Sequence, residues 1–251
     1  VDGQNGIGAS IGIQVMNLCI ERAKKNGCCF ATVKNGTHFG TGAYFTKYAA
    51  DNKMIGVALC NTEAGVVPFG GAKPMLGTNP LSVSVPAGKY SPVILDMATS
   101  TIAKGKIRLA KREGKEIPKG LAVDSEGRDT TDPEKVLNGG ALLPFGGPKG
   151  YAIGLLIDII CSCLGGALDS RRTPPLREDL SHPQNIGYFI GAFDISKFLP
   201  YDVFIKRIDF MLDEFKNCPT SPGFKEVMLP GEIEHNNYLK NLKEGIEISN
   251  I

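Results

Sequence analysis

The pattern of hydrophobic and polar positions divides the chain into alternating helices and strands. Between residues 9 and 26, apolar side chains recur at helical spacing, with Ile11, Val15 and Leu18 on one face. Shorter apolar runs bounded by Gly, Pro or Asn predict buried strands. The pattern predicts helices at residues 9–26, 42–52, 101–113, 149–164, 203–215 and 237–246, and strands at residues 28–33, 54–60, 81–85, 93–95 and 186–193. We therefore expect an α/β chain with a mixed sheet and helices.

Two further segments lack a regular period. Residues 117–143 and 169–185 are rich in Pro, Gly and Asp, which favours turns over the surface. The helix predicted at residues 203–215, by contrast, is amphipathic. The side chains expected to point inward from it are Phe204, Ile208, Met211, Leu212 and Phe215.

Asp96 stands out within the glycine-rich and proline-rich stretch from Pro68 to Ser100. It follows the apolar run at residues 93–95, so we expect it at the exit of a buried strand. A carboxylate there is costly to bury unless it is paired or hydrogen-bonded. Strand-to-helix junctions often hold functional sites in α/β proteins. Asp96 is accordingly a site residue, a helix N-cap or a hydrogen-bonded buried acid.

Composition narrows the class of protein. The chain has 251 residues and a net charge of +2, which gives no electrostatic case for binding nucleic acid or a membrane surface. It has no apolar run long enough to span a membrane, and its first residues do not form a signal peptide. The seven cysteines, with Cys28, Cys29, Cys161 and Cys163 in apolar runs, predict reduced core thiols in a cytoplasmic protein.

The candidate chemistry is modest when each motif is considered alone. His38 lies on a glycine-flanked loop after a strand, and no Cys or His stands at metal-ligand spacing near any histidine, so no metal site is expected. Gly6 and Gly8 lack the spacing of a dinucleotide fingerprint and favour a helix N-terminus. Residues 144–150 open a helix and include Lys149, which is consistent with an anion cradle or with a simple turn.

The order of the motifs is more specific than any one of them. Taken together, they resemble the malate/L-lactate dehydrogenase family, whose fold is distinct from the Rossmann dehydrogenases, and the resemblance covers essentially the whole chain. The matching motifs are THFG at 37–40, PFGG at 68–71, LGTNP at 76–80, DMATS at 96–100, AKGK at 103–106, LPFGGPKG at 143–150 and LPGE at 229–232.

The resemblance implies an NAD- or NADP-dependent oxidoreductase that interconverts a 2-oxo acid and a 2-hydroxy acid, with malate or L-lactate as the default. It also implies a homodimer and a cofactor-binding part at about residues 28–150. Among site residues, it assigns catalysis to His38 and Asp96, with Asp96 as the carboxylate that orients a histidine. The implied cofactor contacts are His38, Thr62, Asp96, Met97, Ala98, Pro148, Lys149, Gly231 and Glu232.

The chain departs from the family pattern at its start. Family members begin with a helical segment that carries a Ser-His-Gly motif, whose histidine is the usual proton donor, and a nearby arginine that holds the substrate carboxylate. This sequence starts after that segment. We therefore expect cofactor affinity with poor turnover, unless His38 replaces the missing acid. The alternative is a non-catalytic remnant that serves cofactor binding or dimerisation.

Overall fold

The computed structural model describes residues 1–176 and 181–246, so part of the polar segment at 169–185 lies outside the described residues. The helices are α1 (Gly8–Asn26), α2 (Gly42–Asp51), α3 (Lys104–Arg112), α4 (Pro133–Leu137), α5 (Pro148–Ile159), α6 (Tyr201–Lys216) and α7 (Glu232–Glu244). The strands are β1 (Cys28–Gly36), β2 (Met54–Cys60), β3 (Leu81–Val85), β4 (Val93–Met97), β5 (Ala122–Val123), β6 (Ala141–Leu142) and β7 (Ile186–Asp194). A π-helical turn, Ile160–Leu164, extends α5, and a 3₁₀ turn, Ile195–Lys197, follows β7.

Five strands form one sheet in the order β1-β7-β2-β3-β4. The prediction of an α/β chain is confirmed, and the sheet expected to be mixed is antiparallel in each of its four pairings. The strand β7, from late in the sequence, lies between β1 and β2. Sequence periodicity detects strands but carries no information on the direction in which distant strands pair. A separate two-stranded ribbon joins β5 to β6.

The larger core lies between this sheet and helices α1 and α2. The helix α1 ends where its sequence predicts, at Gly27, whose φ of 87° suits glycine and whose N–H donates to the carbonyl of Ala23. Gly12 lets α1 approach α2 closely, because a Cβ at this position would lie 2.5 Å from the ring of Phe45. The hydroxyl of Thr46 on α2 contacts the hydroxyls of Ser82 and Ser84, at 2.9 and 2.8 Å.

A second core corrects the expectation for residues 117–143, which the sequence predicts to be irregular. This segment contains β5, α4 and β6, and it encloses a cluster that includes Ile107, Ile117 and Leu142, all at most 4% exposed. Two-residue strands are too short to show a period-2 pattern. They form here because residues distant in sequence pack over them.

Several boundaries and buried faces also differ from the predictions. The strand β4 extends to Met97, so Asp96 lies within an edge strand and is exposed. On α6, Ile208 and Leu212 are buried as predicted, but Met211 and Phe215 are 46% and 55% exposed. Cys28 and Cys163 are exposed rather than in the core, whereas Cys161 is buried, and all seven thiols are free. No helix among residues 1–176 and 181–246 is long and apolar enough to cross a membrane.

Candidate functional site

A cleft of about 240 Å³ brings together residues from several separate parts of the chain. His38 enters from the loop between β1 and α2, Thr62 from the end of β2, and Ala98 from the end of β4. These three are residues that the sequence proposes for the site, and they lie far apart along the chain. We call this feature the His38 cleft.

The His38 side chain is exposed, and its ring has a defined hydrogen bond. The backbone N–H of Gly40 donates to Nδ1 of His38 over 3.2 Å. A neutral ring that accepts at Nδ1 carries its proton on Nε2. His38 can therefore donate a hydrogen bond from Nε2, and it becomes a proton donor when the ring takes up a second proton on Nδ1 in place of the bond from Gly40.

Gln184 holds the backbone of the same loop and has an unmet donor. Its Oε1 accepts from the N–H of His38 over 3.2 Å. Its Nε2 is buried and has no hydrogen-bond partner among residues 1–176 and 181–246. A buried donor left unpaired costs on the order of 1–3 kcal/mol. An acceptor on a bound molecule, or a water, would remove this cost.

Asp96 acts on the helix that follows the His38 loop. One carboxylate oxygen accepts from the hydroxyl of Thr41 and, over 2.8 Å, from the N–H of Ala43. These residues begin α2, so Asp96 supplies the N-terminal cap from a neighbouring strand. The structure corrects the alternative of a buried acid, because Asp96 is exposed, and the helix that it caps is α2, which precedes it in the sequence. The carboxylate does not line the His38 cleft.

Thr62 is positioned by a buried amide network. Its N–H donates to Oδ1 of Asn79 over 3.1 Å, and its hydroxyl accepts from the N–H of Thr78 over 3.0 Å. The adjacent Asn61 is fully buried and donates to Asp158 and to the carbonyl of Leu168, at 2.9 and 2.7 Å. The turn at Gly77 must be glycine, because a Cβ there would lie 2.3 Å from the Thr62 hydroxyl.

Asp158, on α5, is the acid in this network. Burial raises the pKa of its carboxyl group, while hydrogen bonds from Asn61 and Ser170 act in the opposite direction. Its side chain links α5 to the end of β2 through Asn61. The network is therefore a structural support for Thr62 rather than part of the cleft wall.

Pro148 and Lys149 are exposed at the start of α5 and do not line the His38 cleft. The anion cradle proposed for this segment is largely occupied, because the amides of Gly147, Gly150 and Tyr151 already donate to carbonyls. A second cleft, of about 520 Å³, lies beside the segment, and its lining includes six glycines and Phe69. The segment joins the end of β4 through a 3.0 Å bond from Phe145 N–H to the Thr99 carbonyl.

Gly231 and Glu232 lie beside β4. Gly231 has a φ of 88°, and a Cβ there would be 2.9 Å from Cβ of Ile94, so glycine is required on both counts. Both oxygens of Glu232 are engaged, by Lys216 at 2.9 and 3.2 Å and by the N–H of Leu229 at 2.8 Å. Burial alone would raise the pKa of Glu232, but these partners outweigh it and lower the pKa.

We predict that Glu232→Gln makes the free energy of unfolding depend less on pH in the acidic range. A lowered pKa in the folded state stabilises the fold above the ordinary value of 4.5, and this stability is lost as pH falls through the lowered pKa. The variant should lose roughly 1 kcal/mol of unfolding free energy at neutral pH, and less as pH falls below 4.5. Urea denaturation across pH measures this, with exposed Glu234→Gln as the control. A pH-independent loss would contradict it.

Sequence reasoning missed three charged residues in the His38 cleft. Glu63, Lys104 and Arg108 line it, and Thr78 adds a hydroxyl. The AKGK motif at 103–106 marks the start of α3, but its resemblance carried no role for a side chain. The available signal was the unusual charge of α3, whose first turn contains lysine and no acid.

Comparison with known proteins matches the whole chain, residues 1–251, to the family model for malate/L-lactate dehydrogenase. The L-sulfolactate dehydrogenase of Methanocaldococcus jannaschii is 40% identical over 99% of this chain and 70% of its own length. The malate dehydrogenase of Pyrococcus abyssi is 37% identical over 99% and 69%.

Solved structures agree with these sequence matches. The M. jannaschii sulfolactate dehydrogenase superimposes with a TM-score of 0.90, over 99% of this chain and 70% of that one. The malate dehydrogenase of Entamoeba histolytica gives a TM-score of 0.93 at 30% identity, over 99% and 72%. The fold and sequence together define an oxidoreductase of the 2-hydroxyacid dehydrogenase type. The chain belongs to the malate/L-lactate dehydrogenase family, which confirms the resemblance found in its motifs.

Proposed function

We propose that the chain is an NAD- or NADP-dependent oxidoreductase that interconverts a 2-oxo acid and a 2-hydroxy acid, with malate or L-lactate as the hydroxy acid. The observation that carries the proposal is the convergence of His38, Thr62 and Ala98 on one cleft. A family match at this level favours an enzyme. No observation on the described residues supports the alternative of a non-catalytic remnant.

The residues of this region fit a nicotinamide nucleotide. Thr62 and Thr78 offer hydroxyls, and Ala98 leaves room in the cleft. Gln184 holds the His38 loop from outside the cleft lining. The glycine-lined second cleft adds backbone surface next to the segment of Pro148 and Lys149. In this proposal the cofactor-binding part spans about residues 28–150, which includes Asp96 and Met97, and Gly231 and Glu232 contribute from the later part of the chain, as the resemblance assigns them. When bound, the nicotinamide would supply or accept the hydride.

The chain's own residues would control the proton and the geometry. As the acid, His38 would start as the doubly protonated imidazolium and give its Nε2 proton to the carbonyl oxygen of a 2-oxo acid. The proton left on Nδ1 would then go to solvent, which returns the neutral ring to the form that accepts from Gly40. Asp96 would position His38 indirectly, because it fixes the start of α2 immediately after the His38 loop. Asn61 and Asn79 would fix Thr62. Positioning of this kind lowers the entropic part of a reaction barrier.

The proposal includes a homodimer in the cytoplasm. Exposed apolar side chains on α6, including Phe210, Met211 and Phe215, favour a subunit contact. Seven free thiols favour a reducing compartment.

The test of this function is nucleotide binding to the folded chain. NADH and NADPH fluorescence should each be followed during titration, and at least one should change with saturation. Ala98→Leu, which fills the His38 cleft, should weaken that binding at least about tenfold. Ala9→Leu, at an exposed position of α1 outside the cleft lining, is the control. Absence of binding of either nucleotide at about millimolar concentration, corresponding to a free energy weaker than roughly −4 kcal/mol, would refute the function.

A further inference from the structure

Helix α3 presents two cations to the His38 cleft. Lys104 and Arg108 are four residues apart on α3, so they lie one above the other on the same face. Both line the cleft with His38, and both are half-buried. A molecule small enough for a cleft of about 240 Å³ can therefore contact His38 and these cations together.

Neither cation is neutralised by the part of the chain that the structure describes. Within residues 1–176 and 181–246, no ion pair joins Lys104 or Arg108 to an acid, although Lys111, on the same helix, pairs with Glu134 at 3.2 Å. Glu63 lines the same cleft, yet it forms no ion pair with either cation. A half-buried cation with no anionic partner can form a charge-assisted hydrogen bond with an anion that enters the cleft.

The sequence of α3 makes this arrangement unfavourable in the free chain. Lys104 occupies the first helical position, where the helix dipole is positive, and the first turn contains no acidic residue. Like charges at positions i and i+4 also repel each other. One anion bound between Lys104 and Arg108 would offset the missing acid partner, the positive end of the helix dipole and the repulsion between the two cations.

We propose that Lys104 and Arg108 form an anion subsite in the His38 cleft, which takes the second acidic group of a dianionic 2-oxo or 2-hydroxy acid. The inference rests on the proposed function and narrows its substrate class. A carboxylate or sulfonate would meet the planar fork of Arg108 and the ammonium of Lys104. The substrate would thus be a dicarboxylate or a sulfo-carboxylate such as malate, in preference to a monoacid such as lactate.

A phosphate of the nucleotide carries the same chemistry, so the experiment separates the two sources. Malate and lactate are titrated separately into the chain by calorimetry, alone and with NADH present, because neither hydroxy acid can reduce NADH further. NADH and NADPH are titrated separately by fluorescence. The variants are Arg108→Gln and Lys104→Gln. The matched control is Lys106→Gln, which removes an exposed charge from the same helix outside the cleft lining.

The wild-type chain should bind malate at least about tenfold more tightly than lactate. Arg108→Gln and Lys104→Gln should each weaken malate binding roughly tenfold or more, while their affinities for lactate and NADH stay unchanged. Lys106→Gln should bind malate as tightly as the wild type does. Selective weakening of NADPH, with malate unaffected, would overturn the substrate assignment and identify a phosphate subsite. The subsite itself would be overturned if the wild type and both variants each bound malate no more tightly than lactate. It would also be overturned if Lys106→Gln weakened malate binding as much as the two cleft variants do.

Failure of the proposed function would give a different result. A chain that binds neither nucleotide refutes the dehydrogenase, while the preference for malate measured without nucleotide still tests the subsite. Melting curves of each variant report folding. If Arg108→Gln fails to fold, Arg108→Lys retains the charge but lacks the planar fork, and it should weaken malate binding less than Lys104→Gln weakens it.

Discussion

Replacing His38 with glutamine should lower kcat/KM for reduction of a 2-oxo acid about 10²–10⁴-fold, the usual contribution of a positioned acid–base group. Glutamine retains hydrogen-bonding capacity but cannot transfer a proton. Because the Nε2 side of His38 is available to the cleft, the loss should fall on kcat. Steady-state rates and nucleotide titrations on the same sample separate a loss of catalytic rate from a loss of nucleotide affinity.

The matched control is His235→Gln, which removes an imidazole from α7, outside the cleft lining. It should leave kcat/KM within about twofold, as expected for a group without a catalytic role. If His38→Gln retains wild-type kcat, His38 is not the proton donor. If it loses nucleotide affinity by the same factor as rate, His38 serves binding only.

Asn61→Leu should destabilise the fold by about 3–5 kcal/mol. The amide of Asn61 is fully buried, donates to Asp158 and Leu168, and accepts from the N–H of Gly187 over 2.8 Å. Leucine has similar size but leaves these partners unmet, at roughly 1–3 kcal/mol for each. Urea denaturation at neutral pH measures the change in unfolding free energy.

The control for this variant is Asn237→Leu on the exposed surface of α7, where substitution should change stability by no more than about 0.5 kcal/mol. A loss below about 1 kcal/mol for Asn61→Leu would show that the buried network adapts. A loss of the expected size should also weaken nucleotide binding, because Asn61 precedes Thr62 at the cleft.

Local sequence pattern was sufficient for the long, strongly periodic elements. The strands predicted at residues 54–60 and 81–85 have the same bounds in the structure, and α1 differs by one residue at its start. Each has its apolar period, turn residues and end signals within the element itself. The short strands β5 and β6 have no such local signal and depend on a core assembled from distant residues.

Tertiary context also decided where side chains face. Met211 and Phe215 share a helical period with the buried Ile208 and Leu212, yet they are exposed because the apolar face of α6 is wider than the surface it covers. Asp96 was predicted at a buried strand exit, and the longer β4 places it on a sheet edge instead. Periodicity gives a direction around an element but not the extent of what packs against it.

The candidate site was predictable only as a set of motifs. His38, Thr62 and Ala98 were named from the sequence and share one cleft in the structure. Lys104 and Arg108 were missed because a charged helix face is ordinarily solvated, and only the fold shows that this one borders His38. The buried unmet donor of Gln184 is likewise invisible before the chain is folded.

The most direct test of the central claim is a single-turnover reaction of the folded chain with reduced nucleotide and oxaloacetate, with nucleotide absorbance and products measured together. If the His38 cleft is the site of a nicotinamide-dependent reductase, one malate forms for each nucleotide oxidised, and His38→Gln slows both equally. A chain that binds the nucleotide but forms no 2-hydroxy acid from oxaloacetate or pyruvate would contradict the claim.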